Sequence, residues 1–358
     1  MIDFNKITKI GDYGNYVFAN DYIYELENSI EDNNILEDMN YMEIKSDDVN
    51  IDLKKLIPDK IFLLSNDNNP MKELDKMIGL SEVKCEVKNY ISRIKLDHIR
   101  YKNNPTKNAG LNMNLVFAGP PGVGKTQVAK LISEILYKEG IIYNPIYKVV
   151  SISELIGEYL GQTAPRITKI FEEARGGVLF IDEAYALNRS DDYSKQAIDT
   201  IVLEMEENRD DTIVIFAGYK DKMEDFIKSN PGLKGRVNKY IDFNSYNIDD
   251  LMLIFDKMLL DEGFSIENEN VKCFVQEYLE CKMCEQDFAN AREVRKCIEE
   301  AVRNQADRIY KKYNLSSTNV NTISDNEEFL KDLHILCEDD FKNLSKDFYK
   351  EKNHIGFV

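Results

Sequence analysis

Residues Gly119–Thr126 read GPPGVGKT, and two adjacent carboxylates, Asp182 and Glu183, follow an apolar run that starts at Val178. These residue types at these spacings suit the handling of a polyphosphate. Glycines let backbone N–H groups turn inward on phosphate oxygens, and a helix N-terminus behind them adds partial positive charge. The stretch Pro121, Gly122, Val123, Gly124, Lys125, Thr126 and Gln127 is therefore the expected nucleotide-binding segment. Within it, Lys125 would reach the β- and γ-phosphates and the Thr126 hydroxyl would ligate Mg²⁺. Asp182 would hold the same ion directly or through water, and Glu183 could polarise the attacking water as general base. The pattern implies that the chain binds a nucleoside triphosphate and hydrolyses it.

These residues need a particular scaffold. Leu115–Ala118 is an apolar run and Gln127–Leu136 carries helical periodicity, so the loop sits between a strand and a helix, as a phosphate loop requires. Val178–Ile181 is continuously apolar, as expected of a parallel strand covered on both faces, and ligands bind at the C-terminal ends of such strands. From Leu74 to about Tyr246 strands alternate with helices. Strands are expected at Asn114–Ala118, Ile146–Ile152, Gly177–Asp182, Thr212–Ala217 and Tyr240–Phe243, with a helix at Ser81–Arg100 ahead of them. From Ile248 the pattern turns helical, with helices expected at Ile248–Glu262, Asn270–Met283, Asn290–Tyr310 and Asn326–Leu336, and a short one after Asp339.

This divides the chain into an N-terminal unit (1–70), an α/β nucleotide-binding core (71–246) and an α-helical lid (247–358). The first unit is acidic and Asn-rich with scattered tyrosines. It contains no legible chemistry, and contact with a partner or a neighbouring subunit is its expected role, with a solvated appendage as the alternative.

The 358 residues carry 46 basic and 64 acidic side chains, a formal net charge of −18 that disfavours wide contact with nucleic-acid phosphates. No apolar run approaches the roughly 18 residues of a transmembrane helix. The N-terminus MIDFNKITK lacks an apolar secretory core, so a cytosolic protein is expected. The six cysteines then read as reduced thiols. Cys281 and Cys284 form a lone C-x-x-C, expected on one face of a helix and in a packing role.

Taken in order, Ile78-Gly79-Leu80, GPPGVGKT, Tyr159-Leu160-Gly161, FIDEA, IFAGY, Asn230–Arg236 and Asn290-Ala-Arg292 resemble an AAA+ ATPase of the CbxX/CfqX type. That group includes red-type Rubisco activases and the stage V sporulation protein K group. The resemblance covers about Leu74 to Tyr310 and implies an AAA+ P-loop core with a parallel five-stranded sheet flanked by helices, then an all-α lid. It implies ATP and Mg²⁺ as cofactors. It places Ile78 and Gly79 beside the adenine, and Arg292 as a lid residue touching the γ-phosphate, with Arg295 three residues on. Arg236 resembles an arginine finger presented to a neighbouring subunit of a hexameric ring, with Lys234 able to share the role. Arginine suits this task because its planar fork matches charge spread over equatorial oxygens. Tyr159, Leu160 and Gly161 resemble a pore loop that grips a threaded polypeptide, for which a flat aromatic surface with few rotors is suited. One departure stands at Gly218-Tyr219, where many AAA+ members place a polar residue to position the lytic water. Tyr219 or Glu183 is left to do that work.

The function expected is ATP-driven remodelling of a protein substrate by a ring. An assembly scaffold or a nucleic-acid motor is the alternative, the latter disfavoured by charge. The Asn/Lys/Ile-rich, arginine-poor composition points to an AT-rich, non-photosynthetic source, which makes sporulation a nearer analogue than Rubisco activation. Nothing in the sequence names the substrate.

Overall fold

The computed structural model describes residues 69–103 and 113–342, apart from 158, 160, 190, 211, 238 and 316–326, together with strands at 45–46, 49–50 and 61–63. The chain forms two units, Met1–Ile61 and Phe62–Val358. In the first, the described residues form a short antiparallel pair, Lys45–Ser46 with Val49–Asn50. The rest of that unit and the C-terminal residues 343–358 lie outside the described residues.

The second unit is built on a sheet. Its strands are β1 (Ile61–Leu63), β2 (Leu115–Ala118), β3 (Ile146–Val150), β4 (Val178–Ile181), β5 (Ile213–Gly218) and β6 (Lys239–Asp242), in the spatial order β1-β3-β4-β5-β2-β6. The five from β3 to β6 run parallel. They are the expected strands with ends moved by one or two residues, and β1 adds a sixth at the edge. In β2, β4 and β5 every residue is buried, which is why they read as unbroken apolar runs.

Alternation along these strands divides the interior into two layers. Leu115, Phe117, Phe180 and Ile215 face one side and belong to one buried cluster with residues of α2 (Ser81–Asn103), α3 (Lys125–Lys138) and the lid. Val116, Ala118, Leu179 and Phe216 face the other, against α5 (Thr163–Glu173), α6 (Asp192–Glu207) and α7 (Lys220–Ser229). The remaining helices of this half are α1 (Pro70–Lys76), α4 (Ile152–Leu155) and α8 (Pro231–Arg236). One buried charge needs its partner: Lys148 of β3 pairs with Glu173 at the end of α5.

The lid consists of α9 (Ile248–Asp261), β7 (Ser265–Ile266), α10 (Glu269–Lys282), α11 (Ala291–Lys312), α12 (Glu327–Asp332) and β8 (Ile335–Leu336), followed by helical residues 338–342. Two expectations are corrected. The helix expected over Asn326–Leu336 stops at Asp332, and Ile335–Leu336 instead pair in parallel with Ser265–Ile266. The cause is the buried Gln305, whose Nε2 donates to the carbonyls of Asp332, Leu333 and Ile335 and so satisfies the chain as it leaves the helix. Arg308 fixes the same turn with two bonds to Asp340, each 2.9 Å, and a third to the Ile335 carbonyl. The second correction concerns Cys284, which lies in the turn after α10, its N–H bonded to the Cys281 carbonyl, and not on the helix itself.

Candidate active site

At the C-terminal ends of β2, β4 and β5 lies a cleft of about 540 Å³. Asp182 and Glu183 leave β4 beside the loop that leaves β2, because β5 lies between the two strands in register with both. Of the sequence-identified residues, Ile78, Pro121, Gly122, Gly124, Lys125 and Thr126 line the cleft. Gln127, Asp182, Glu183 and Arg292 line it too, as do Tyr219 and Arg295. Gly79 and Val123 do not: Gly79 backs onto the Asp250 carboxylate, and Val123 is fully buried. Arg236 lies away from the cleft wall. Tyr159 is 68% exposed on a loop ahead of α5, and Leu160 lies outside the described residues.

The loop's own bonding is unusually complete. The Lys125 ammonium donates to the carbonyls of Gly119 (2.8 Å) and Pro120 (2.7 Å). Gly122 has φ 73°, and a Cβ there would stand 1.9 Å from the Ala289 carbonyl oxygen, so only glycine lets the loop and the lid approach this closely. Behind the loop, the Tyr147 hydroxyl donates to the Thr126 carbonyl.

Burial lowers the Lys125 ammonium to about 8. Asp182 and Glu183 work against that shift, and Arg292 adds to it. A bound phosphate would restore the ordinary value by adding negative charge. The proton is thus held more tightly in the complex than in the free protein, so binding takes up a proton above about pH 8. Affinity for a phosphate ligand is expected to be flat below that pH and to fall by up to tenfold per pH unit above it, as read by titration calorimetry across about pH 7 to 9.5. A flat profile through that range would show that Lys125 does not contact the phosphate.

The Thr126 hydroxyl and the Asp182 carboxylate both border the cleft, and hard oxygen donors suit Mg²⁺. Such an ion takes one or two protein ligands and completes its shell with phosphate and water. Asp182 Oδ1 also accepts the Glu183 N–H at 3.0 Å, which orients the carboxylate. Glu183 itself is exposed and left-handed at φ 50°, a conformation that turns its side chain off the strand direction.

The structure explains the departure at Gly218. A Cβ there would meet Tyr185 Cδ1 at 2.6 Å and Met223 Sδ at 2.7 Å, so no polar side chain fits at this strand end. An aromatic pair stands in its place. Tyr185 and Tyr219 meet edge to face at 5.8 Å, with the Lys222 ammonium within 5 Å of both ring centres. Both tyrosines line the cleft. Tyr185 follows the acidic pair by two residues, a spacing that could have flagged it.

Arg236 ends α8. Its guanidinium pairs with Glu206 at 3.0 Å and donates to the Gly232 carbonyl, while Asn114 at the start of β2 donates to its main-chain carbonyl. Its Nε is buried with no hydrogen-bond partner.

Two residues at the lid junction had no sequence-based role. The Tyr246 hydroxyl donates to the Val123 carbonyl at 3.2 Å, and Asn290 Nδ2 donates to the Pro121 carbonyl at 3.2 Å. Asn290 stood inside the Asn-Ala-Arg motif, but as a neighbour of Arg292 and not for its own side chain.

Comparisons with known proteins agree with this geometry. Residues 115–245 match the model of the "ATPase family associated with various cellular activities (AAA)", and residues 247–347 match that of the AAA lid domain. A CfxQ homolog from Galdieria sulphuraria is 40% identical over 73% of this chain and 87% of its own length. The chloroplastic ribulose bisphosphate carboxylase/oxygenase activase of Cyanidioschyzon merolae is 41% identical over 67% of this chain and 83% of its own length. Plasmid CbxX of Cupriavidus necator is 38% identical over 67% and 76%. Among solved structures, the FIGL-1 AAA domain in complex with ADP superposes with a TM-score of 0.54 over 86% of this chain and 97% of that one, at 15% identity, a likeness of fold.

Proposed function

The chain belongs to the AAA ATPases of the CbxX/CfxQ type, and from that premise we propose that it works as a homo-oligomeric ring, a hexamer, that hydrolyses ATP with Mg²⁺ to remodel a protein substrate. In this reading Lys125 and Arg292 bind the phosphates, Thr126 and Asp182 hold the metal, and Glu183 activates water. Arg236 completes the site of the adjacent subunit. The observation that carries the proposal is the separation of these groups. Every other candidate catalytic residue borders one cleft, whereas Arg236 stands apart from it, partly exposed. A second copy of the chain would bring the missing cation.

The substrate is taken to be polypeptide, gripped by Tyr159 and its neighbours in the ring's pore. The exposure of Tyr159 supports this, since a packed loop aromatic would be buried. The net charge of −18 supports protein over nucleic acid as the substrate. No described helix is long and apolar enough to cross a membrane, and a cytosolic site of action is part of the proposal. One relative is named a Rubisco activase, and sporulation rests on the family analogy together with composition.

Stimulation of ATP hydrolysis by an unfolded polypeptide, with casein as the probe, tests the threading step. The wild-type protein is expected to be stimulated severalfold and Tyr159→Ala to show no stimulation. Equal stimulation of both would favour the scaffold reading.

A further inference from the structure

We propose that Asn290 is a positioning residue through which the phosphate loop and the lid set one another's geometry. The proposal rests on the chain's binding a nucleotide in the cleft described above. It concerns the main chain of the loop, and it is separate from any contact that Arg292 makes with phosphate.

Five consecutive carbonyls of the loop are each engaged. Lys125 takes those of Gly119 and Pro120. The next three are held by the hinge and the lid. Asn290 Nδ2 donates to Pro121, the Ala291 N–H donates to Gly122 at 3.2 Å, and the Tyr246 hydroxyl donates to Val123. In a trans peptide the carbonyl and the following N–H point in opposite directions. Drawing the carbonyls of Pro121, Gly122 and Val123 toward these donors therefore turns the amides of Gly122, Val123 and Gly124 away from them. The lid's side of the loop thus orients the donors that a phosphate would meet.

Asn290 is the centre of this arrangement. It is fully buried, and both ends of its amide are used. Oδ1 accepts the Tyr246 N–H at 3.0 Å, while Nδ2 reaches Pro121. One partner is an N–H and the other a carbonyl, which fixes the orientation of the amide. The backbone at Asn290 is held at φ 51°, ψ −125°, a conformation unfavourable for a residue with a side chain and kept only where the surroundings enforce it. The same residue opens α11, whose first N–H groups from Glu293 and Val294 bond to the Asn290 carbonyl. A shift of the Pro121 or Gly122 peptide on phosphate binding must then move the start of α11. By linkage, the position of α11 must in turn alter affinity for phosphate.

The test uses the full chain, ADP as the probe, and hydrogen exchange read separately over residues 119–126 and 289–296. In the wild type, ADP is expected to slow exchange in both segments. Asn290→Gly tolerates the backbone conformation and removes both side-chain bonds. It is expected to weaken ADP binding by roughly tenfold, the effect of about one net hydrogen bond. At saturating ADP it should keep the protection of 119–126 and lose that of 289–296. Asn290→Asp keeps the acceptor for Tyr246 and removes the donor to Pro121, and it should show the same division even if the glycine variant fails to fold. A merely structural role would lower the melting temperature without separating the two segments. Equal protection of both segments in the variants, with affinity within about twofold of wild type, would overturn the proposal. Absence of ADP protection in the wild type itself would instead overturn the nucleotide-binding reading.

Discussion

Replacing Arg236 by alanine is expected to lower steady-state ATP hydrolysis by roughly 10³- to 10⁵-fold while leaving ATP affinity within a few-fold of wild type. The size follows from what an arginine supplied from outside a P-loop cleft does. It neutralises charge that spreads over the γ-phosphoryl oxygens as the bond breaks, so it acts on the transition state and little on the ground state. In the lone chain the guanidinium rests against Glu206, which is half exposed. A pair of that kind contributes only about 0–1 kcal/mol and yields readily to a phosphate. The side chain is partly exposed, so its terminal nitrogen can leave Glu206 and turn to an incoming oxygen. If the alanine variant hydrolysed ATP at the wild-type rate, the shared-site model would be wrong.

Exchange of Glu183 for glutamine should have the second-largest effect, a fall in turnover of roughly 10²- to 10⁴-fold with ATP binding retained. The amide fills the same space and keeps the left-handed backbone at this position, but it cannot take a proton from water. The two variants together give a sharper measurement than either alone. A subunit with Arg236→Ala has an intact Glu183, and one with Glu183→Gln has an intact Arg236. Mixed in equal amounts, they should form interfaces at which a complete site is restored, and ATPase activity should rise well above the sum of the separate proteins. No gain on mixing, with mixed assemblies demonstrated by size, would place Arg236 in service of its own subunit or of none.

Much of this site is legible in the sequence because its parts are local. The glycine loop, Lys125 and Thr126 occupy eight consecutive residues, and Asp182 and Glu183 end a strand whose burial on both faces makes it continuously apolar. β2, β4 and β5 announce themselves in that way and can be bounded to within one or two residues. What escapes is long-range hydrogen bonding. Tyr246 and Asn290 hold carbonyls 123 and 169 residues away, and no spacing rule connects them to the loop. Gln305 ends a helix 27 residues further along by taking its carbonyls, so periodicity overran the true end at Asp332. The edge strand Ile61–Leu63 is too short to carry a period. The aromatic pair at Tyr185 and Tyr219 is visible only once Gly218 is seen to have no room for a side chain.

The apolar layer that joins one face of the sheet to the lid bears on how work is transmitted. Leu115, Phe117 and Ile215 from the strands belong to the same buried cluster as Phe255, Val275, Val294 and Phe341 from the lid. Few direct contacts join lid elements to core elements, so that continuity runs through the residues of the junction rather than through a broad packed face. Drawing the lid away would expose apolar surface at this junction, whereas a small slide there would not. In the proposed cycle, a displacement at the phosphate loop would therefore reach the lid through a narrow joint, and the lid would turn as one piece about it.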